Sequence, residues 1–405
     1  MVQSFKNQVH LVQAFVANVL FGFPGRHVQV IGVTGTDGKT TTTSLLYHIL
    51  HTAGRNVSMI STVYAKIGDS EYDTGLHTTT PNSFFVQKML KKSVRAGDEF
   101  FVLETTSHAL DQNRVWGVPF VASLITNITH EHFDYHKTHR RYLLAKAKLL
   151  LASKFALLNR DDGSYSQLEQ LLDGRQIKRK TYGLHAPADY SFDIGAKLGQ
   201  TLPEFNAYNY LACYGLCREL GLTDAEIYSG MQSFVLPQGR VEELNLKGKQ
   251  VIIDFAHTPN AVANLLKFVK QKYPEKNIIH VFGAAGKRDS AKRPLMGEAS
   301  AAFADKVILT EEDYRTESVS LICEQIAEGL RHLGFEKNET LSGSHQFISI
   351  FDRNLAIQKA VSIMSENDIV VVTGKGHEKS LARGKNEIQW SDKEAIKQAF
   401  VDYSL

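Results

Sequence analysis

Gly32-Val33-Thr34-Gly35-Thr36-Asp37-Gly38-Lys39-Thr40 decides the fold of this chain. The short β-branched run Val28-Gln29-Val30-Ile31 precedes it and reads as a buried strand. From Thr41 to Ala53, Leu45, Leu46, Ile49 and Leu50 recur at helical spacing. A strand, a glycine turn and a helix start make an anion site, because backbone N–H groups and the positive helix end converge on the turn. Gly35 and Gly38 permit backbone conformations and close approach that a Cβ would block. Lys39 is placed to reach β/γ-phosphates and the Thr40 hydroxyl to ligate Mg²⁺. The general phosphate-loop pattern requires glycine where Val33 stands, so the match is to the shorter Gly35–Thr40 form. The alternative is an ordinary glycine turn before a helix; Lys-Thr after the last glycine argues against it.

Working outward, strand-like and helix-like segments alternate from residue 28 to about 235, with strands expected at Val28–Val33, Val57–Ser61, Phe100–Glu104, Ala122–Asn127 and Phe155–Asn159. That alternation implies a mostly parallel, doubly wound sheet, with functional residues at the carboxyl ends of its strands. Phe234–Arg240, carrying Pro237 and Gly239, reads as a linker. Beyond it, strands are expected at Val251–Phe255, Ile278–Phe282, Lys306–Thr310 and Asp368–Thr373. The expectation is an α/β protein: a phosphate-loop domain over 1–236, with an N-terminal helix around Val9–Phe23, and a second, Rossmann-like α/β domain over 237–405.

Composition narrows the class. The chain has 405 residues, 43% hydrophobic and 22% charged, as expected of a globular protein with a sizeable core. A net charge of +3 gives no argument for nucleic acid or membrane binding. Three cysteines, Cys213, Cys217 and Cys323, make no disulfide framework and fit a reducing cytoplasm.

Several clusters carry chemistry. Glu104, at the end of a strand, suits a Mg²⁺ ligand, and the following Thr106 or Ser107 suits a helix cap. His130-Glu131-His132-Phe133-Asp134-Tyr135-His136 has the composition of a metal loop, or of a surface loop with incidental histidines. Lys146 and Lys148 cannot share one helix face, and on their own read as solvated lysines of an amphipathic helix. Gly283–Arg293, with Lys287, Arg288, Lys292 and Arg293, suits phosphate or carboxylate binding, or is a solvated basic loop.

Taken in order, these stretches resemble the Mur ligases, and among them the MurE-like branch, from about Phe21 to Lys393. The marks are Gly35–Thr40, Thr79-Thr80-Pro81, Glu104–Leu110, Thr126-Asn127, His132–His136, Tyr142 with Lys146, and Asn206 with Asn209. Gly239-Arg240, Asp254–Pro259, Gly286–Pro294, Thr310–Glu317 and Gly374–Glu378 continue them.

The resemblance implies that ATP phosphorylates a carboxylate and an amine attacks the acyl phosphate. It implies that Gly35, Thr36, Asp37, Gly38, Lys39, Thr40 and Thr41 hold phosphates, while Asn127, Arg240, Asp254 and His257 face the rest of ATP. Thr40 and Glu104 would hold one Mg²⁺, and His132 with a carbamoylated Lys146 a second. Thr79, Thr80, Ser107, Gln112 and Arg114 would hold a muramoyl-peptide acceptor; Arg315, Gly374 and Glu378 would hold the incoming amino acid. A cytoplasmic monomer follows, making peptidoglycan precursors.

There are three departures from the family pattern. Asp37 replaces the usual asparagine, and Glu312-Asp313-Tyr314-Arg315 replaces Asp-Asn-Pro-Arg, keeping the arginine that could pair a distal carboxylate such as that of diaminopimelate. The third is that the phosphate loop lies close to Met1, where MurE-like enzymes first carry a uridine-nucleotide domain. The expectation is weak dependence on the uridine diphosphate, or a partner protein that supplies its recognition. The competing readings are a ligase for a folate or polyglutamate-like acceptor, and a nucleotide-binding subunit that needs a partner.

Overall fold

The computed structural model describes residues 2–75 and 79–403 and divides into two compact units. One consists of 1–129 and 136–237, the other of 130–135 and 238–405.

The first unit is built on a sheet of eight strands: β1 (Gln29–Thr34), β2 (Val57–Ile60), β3 (Ala65–Ile67), β4 (Ser70–Tyr72), β5 (Phe100–Glu104), β6 (Phe120–Ile125), β7 (Ser153–Asn159) and β8 (Lys178–Tyr182). Their order is β4-β3-β2-β5-β1-β6-β7-β8. All pairs from β2 to β8 are parallel, and β3 and β4 add an antiparallel edge. Because the sheet is covered on both sides, its strands are apolar throughout rather than alternating. Ile31, Val33, Met59, Val102 and Leu124 enter one core with the helices Lys39–Thr52 and Glu204–Glu219. Val30, Ile60, Phe101, Leu103 and Phe120 enter the other with Val86, Leu90 and Leu149. Alternate residues of one strand thus feed opposite faces, as the pleat dictates.

The register places the phosphate loop. β1 lies between β5 and β6, pairing Val33 with Glu104 and Thr34 with Ile125. The turn after β1 is therefore flanked by Glu104 on one side and Thr126-Asn127 on the other, at the point where the strand order reverses.

In the second unit β9 (Glu242–Leu246), β10 (Lys249–Asp254), β11 (Asn277–Phe282), β12 (Lys306–Leu309), β13 (Glu336–Lys337), β14 (Gln346–Ser349) and β15 (Asp368–Thr373) form a sheet in the order β13-β14-β12-β11-β15-β10-β9. Only β9 runs antiparallel. β16 (Ser380–Arg383) and β17 (Asn386–Gln389) make a separate hairpin. Again two cores form: Ile252, Ile278, Phe282, Leu309 and Val371 on one face, Val251, Ile253, Val281, Ile308 and Val372 on the other.

The α/β, mostly parallel architecture expected from sequence is present. Its details extend the expectation. The helix after the phosphate loop starts at Lys39 rather than Thr41, and the first helix starts at Val2 rather than near Val9. β8, β9 and the short strands β3, β4, β13, β14, β16 and β17 carried no clear periodic signal; β8, β9, β3 and β14 pair with longer or more apolar strands, β4 and β13 extend β3 and β14, and β16 and β17 pair with each other. No helix of the described residues is long and apolar enough to cross a membrane.

Candidate active site

In the first unit the phosphate loop is clamped from β6. Asp37 N–H donates to Asn127 Oδ1 at 2.9 Å, and the Asp37 carbonyl accepts from Thr126 Oγ1 at 2.6 Å and Asn127 Nδ2 at 3.3 Å. The amide of Asn127, expected to face ATP, thus holds the loop that would face it. Gly35 is required here: its φ is +151°, and a Cβ would lie 1.7 Å from Thr126 Oγ1. Gly38 has φ +82°, and a Cβ there would lie 2.4 Å from Asn209 Oδ1. Thr36 Oγ1 shares a hydrogen bond with Tyr142 Oη at 3.0 Å and accepts from Thr129 N–H at 3.0 Å. Thr41 is buried in the first turn of the helix.

The helix Lys39–Thr52 has no side-chain N-cap and no acidic residue in its first turn. Neighbouring helices are capped by Asn82, Thr106 and Thr138. Its leading N–H groups and positive end are therefore suited to an anionic ligand, which is what a nucleotide's phosphates supply. Lys39 Nζ folds back onto the Thr36 carbonyl at 2.7 Å, on the same turn.

Beside this end, Thr40 Oγ1 donates to Glu104 Oε1 at 3.1 Å. Glu104 is fully buried, and its remaining contacts are Thr62 N–H at 2.8 Å and Thr62 Oγ1 at 2.8 Å. These donors are neutral. An all-oxygen pair with a buried carboxylate fits a hard divalent cation bridging to phosphate. Thr62 was not expected from sequence; it follows β2, with no motif to mark it.

Lys146 corrects the solvated-lysine reading. Only Lys148 is solvated, reaching Asp111 at 3.1 Å; Lys146 is buried, its ammonium on the Gly35 carbonyl and 4.5 Å from the Tyr142 ring centre.

The expected acceptor residues gather at the same strand ends. Thr80 Oγ1 donates to the Glu104 carbonyl at 3.1 Å and accepts from Thr106 N–H at 2.9 Å. Arg114 donates to the Thr80 carbonyl at 2.8 Å, and through Nε and Nη2 to Gln112 Oε1 at 3.0 and 2.7 Å. Ser107 Oγ lies 3.0 Å from His136 Nε2. Burial lowers the His136 pKa to about 4, so this imidazole is neutral. Thr79 lies beside Thr80 and is partly exposed.

In the second unit His130–Tyr135 does not form a transition-metal cluster. Among the described residues no group of three His, Cys, Asp or Glu is placed to hold a metal. Instead Glu131, buried, accepts from His257 Nε2 at 3.1 Å, with Lys292 Nζ at 3.8 Å and His132 Nε2 at 3.4 Å. Burial opposes its ionisation, yet His132, His257 and Lys292 hold its carboxyl well below the usual range. Asp289 accepts from Phe133 N–H at 3.3 Å and lies 3.3 Å from His130 Nε2. Two carboxylates thus secure the loop that carries His132, whose own backbone is left-handed at φ +58°. Asp289 and Lys292 belong to the basic loop, which is therefore not simply solvated; Arg293 is buried too, on Glu317 at 2.6 Å.

Asp254 closes β10. It is half-buried, accepting from Val241 N–H and Ala256 N–H, both at 2.7 Å, and loss of solvent around the carboxyl raises its pKa despite Arg240 nearby. The Arg240 guanidinium lies 4.7 Å from the Phe255 ring centre, and Phe255 packs against His257 and His377 at 4.6 and 5.0 Å. Arg315 Nη1 donates to the carbonyls of Gly286 at 2.9 Å and Asp313 at 3.2 Å. Lys375 is buried, on Asp313 Oδ1 at 2.7 Å and on Glu378. Apart from Arg240 and Val241, which precede β9, these residues lie at or just past the carboxyl ends of β10, β11, β12 and β15, the ligand edge of such a sheet.

Comparison with known proteins agrees with this arrangement. Residues 33–217 match the Mur ligase middle domain and 239–376 the Mur ligase glutamate ligase domain. The chain is 34% identical to a UDP-N-acetylmuramoyl-L-alanyl-D-glutamate–2,6-diaminopimelate ligase of Thermosynechococcus vestitus, over 95% of this chain and 79% of that protein. It is 34% identical to a UDP-N-acetylmuramyl-tripeptide synthetase of Roseiflexus, over 96% and 81%. A solved 2,6-diaminopimelate ligase of the same name superposes with TM-score 0.59 at 26% identity, over 93% of this chain and 79% of the other. A folylpolyglutamate synthase/dihydrofolate synthase of Yersinia pestis superposes with TM-score 0.69 at 18% identity, over 98% and 93%, which is likeness of fold.

Proposed function

The chain belongs to the Mur ligase family, an ATP-dependent amide-forming ligase, and we propose that it adds an amino acid, diaminopimelate before lysine, to the carboxylate of a muramoyl dipeptide. The observation that carries the proposal is the uncapped helix end at Lys39–Thr40 with Glu104 beside it, a phosphate and cation seat at the switch point of the sheet. Residues 1–236 would be the ATP-binding domain and 237–405 the domain that brings the amino acid.

Each side chain has a role in this reading. The loop Gly35–Thr41 holds phosphates, with Lys39 spreading the charge of the transferring phosphoryl group. Thr40 and Glu104 hold one Mg²⁺. Lys146, once carbamoylated, is an anionic ligand and serves a second Mg²⁺ with His132; the modification would replace its present donation to Gly35 by an acceptor. Arg240, Asp254 and His257 serve the nucleoside part of ATP, with Asn127 bracing the loop. Thr79, Thr80, Ser107, Gln112 and Arg114 hold the acceptor, while Arg315, Gly374 and Glu378 hold the amino acid. Mg²⁺, when bound, neutralises charge on the phosphates. The setting is the cytoplasm, with a monomer as the working form.

The test is ADP release by the full chain with ATP, Mg²⁺, UDP-muramoyl dipeptide and single amino acids, each product identified by mass. Diaminopimelate-dependent release with a matching tripeptide is expected. Release only with a folate and glutamate would replace this acceptor with the folate-type one.

A further inference from the structure

The first helix, Val2–Phe21, is apolar on two opposite faces. Its inner face is committed. Ala14 and Ala17 are fully buried there, and the buried Asn18 donates to the Ala14 and Trp116 carbonyls at 2.9 and 2.8 Å. Asn7 adds a bond to Asp111 at 2.9 Å. Helical spacing turns Val9, Val12, Phe15, Val16, Val19 and Leu20 to the other side. All six are exposed, Val12 by 62%, Phe15 by 51%, Val19 by 53% and Leu20 by 64%. The exposed Trp116 extends the patch, its ring centre 6.0 Å from that of Phe15. A helix that is apolar all round is ordinarily a buried one, whereas half of this one faces water.

We propose that this face is an interaction surface for a second copy of the chain, the two helices packing along their valine rows about a twofold axis. Three features select that occupant. Val9, Val12, Val16 and Val19 keep the 3-4-3 spacing of a seam between two helices packed side by side. Lys6 is the helix's one lysine, arginine or acid. Nothing on it therefore draws an anionic lipid surface or a charged partner, and nothing repels an identical copy. A twofold sets the seam against itself, and an uncharged valine row is its own complement. The patch exposes roughly 700 Å², so full pairing of two copies would bury about 1,400 Å² in total, within the ~1,200–2,000 Å² of a stable interface. The proposal goes beyond the ligase reading and does not rest on it. The bonds of Asn7 and Asn18 stay within one chain, so each copy keeps its own site and a single chain remains the catalytic unit.

The experiment is sedimentation equilibrium of the full chain from about 0.1 to about 100 µM, a span that brackets a micromolar Kd. The wild type should pass from the mass of one chain to twice that mass as concentration rises. Val12→Glu combined with Val19→Glu puts like charges across the paired seam and should weaken pairing at least about 100-fold. Both positions are exposed in the single chain, so the melting temperature of the dilute protein should stay unchanged. Val16→Lys, a single charge on the same row, should weaken pairing about 10-fold and serves as the second variant. A wild type that keeps the mass of one chain at about 100 µM overturns the proposal, and so does a dimer that both charged variants form as tightly as wild type. A chain that stays monomeric and binds vesicles of anionic lipid would give the face to a membrane surface instead, which also overturns it.

Discussion

Thr40 and Glu104 meet across 3.1 Å, hydroxyl to carboxylate, joining the first turn of the phosphate-loop helix to the last residue of the neighbouring strand. The carboxylate is buried among neutral hydrogen-bond donors, a setting suited to a hard divalent cation. Glu104→Gln keeps the shape, and the Thr40 and Thr62 hydroxyls can rotate to accept. We expect the melting temperature without ligand to change little. The rise on adding Mg-ATP should vanish, and turnover should fall about 10²–10³-fold. A variant that Mg-ATP still stabilises as strongly as wild type would remove Glu104 from the cation site.

Lys146 is predicted to carry a carbamate in the working enzyme. Intact-mass measurement after trapping the carbamate should show it on wild type and not on Lys146→Ala. That variant should be nearly inactive and partly restored by a short carboxylic acid, which replaces the missing anionic ligand. Unmodified Lys146 in a fully active preparation would leave the ammonium bond to Gly35 as its role.

Acid stability tests the second core. His280 is buried, with Nδ1 on Ser300 Oγ at 2.8 Å and Nε2 on Thr373 Oγ1 at 3.0 Å. Burial, with Arg353 adding repulsion, lowers its pKa to about 3. Between that value and about 6.5, the ordinary value, the unfolded chain binds a proton that the folded chain does not. Stability therefore rises with pH in this window and falls on acidification, by about 1.4 kcal/mol per pH unit from this group. Denaturant unfolding of His280→Gln should show a slope shallower by that amount between pH 6 and 4. An unchanged slope would mean that His280 is protonated in the fold.

Arg315→Ala should raise the apparent KM for diaminopimelate much more than that for ATP, by roughly 10- to 100-fold, because a carboxylate loses a charge-assisted partner. Equal wild-type use of lysine and diaminopimelate would assign Arg315 to its present task of bonding the Gly286 and Asp313 carbonyls.

The sequence made the phosphate loop legible because its chemistry is local: glycine, lysine and threonine at fixed spacing between a strand and a helix. Glu104 and Asn127 were legible through position, each at the end of a strand that the topology sets beside β1. Tertiary contacts were not legible. Lys146 sits two residues from Lys148 on one helix, and only the fold, which sets Lys146 on the Gly35 carbonyl and against the Tyr142 ring, shows which of them is buried. Glu131 looked like one more acid in a histidine-rich loop until His257 and Lys292, far along the chain, came to bind it. Thr62, which donates twice to Glu104, carried no signal, being one threonine among many.

The central claim is that ATP activates a carboxylate as an acyl phosphate before the amine attacks. It is tested most directly with an acceptor whose reacting carboxylate carries heavy oxygen. During amide formation one labelled oxygen should pass to the released inorganic phosphate, with ADP as the other product. Label found in AMP, or phosphate released without label while amide forms, would contradict the account.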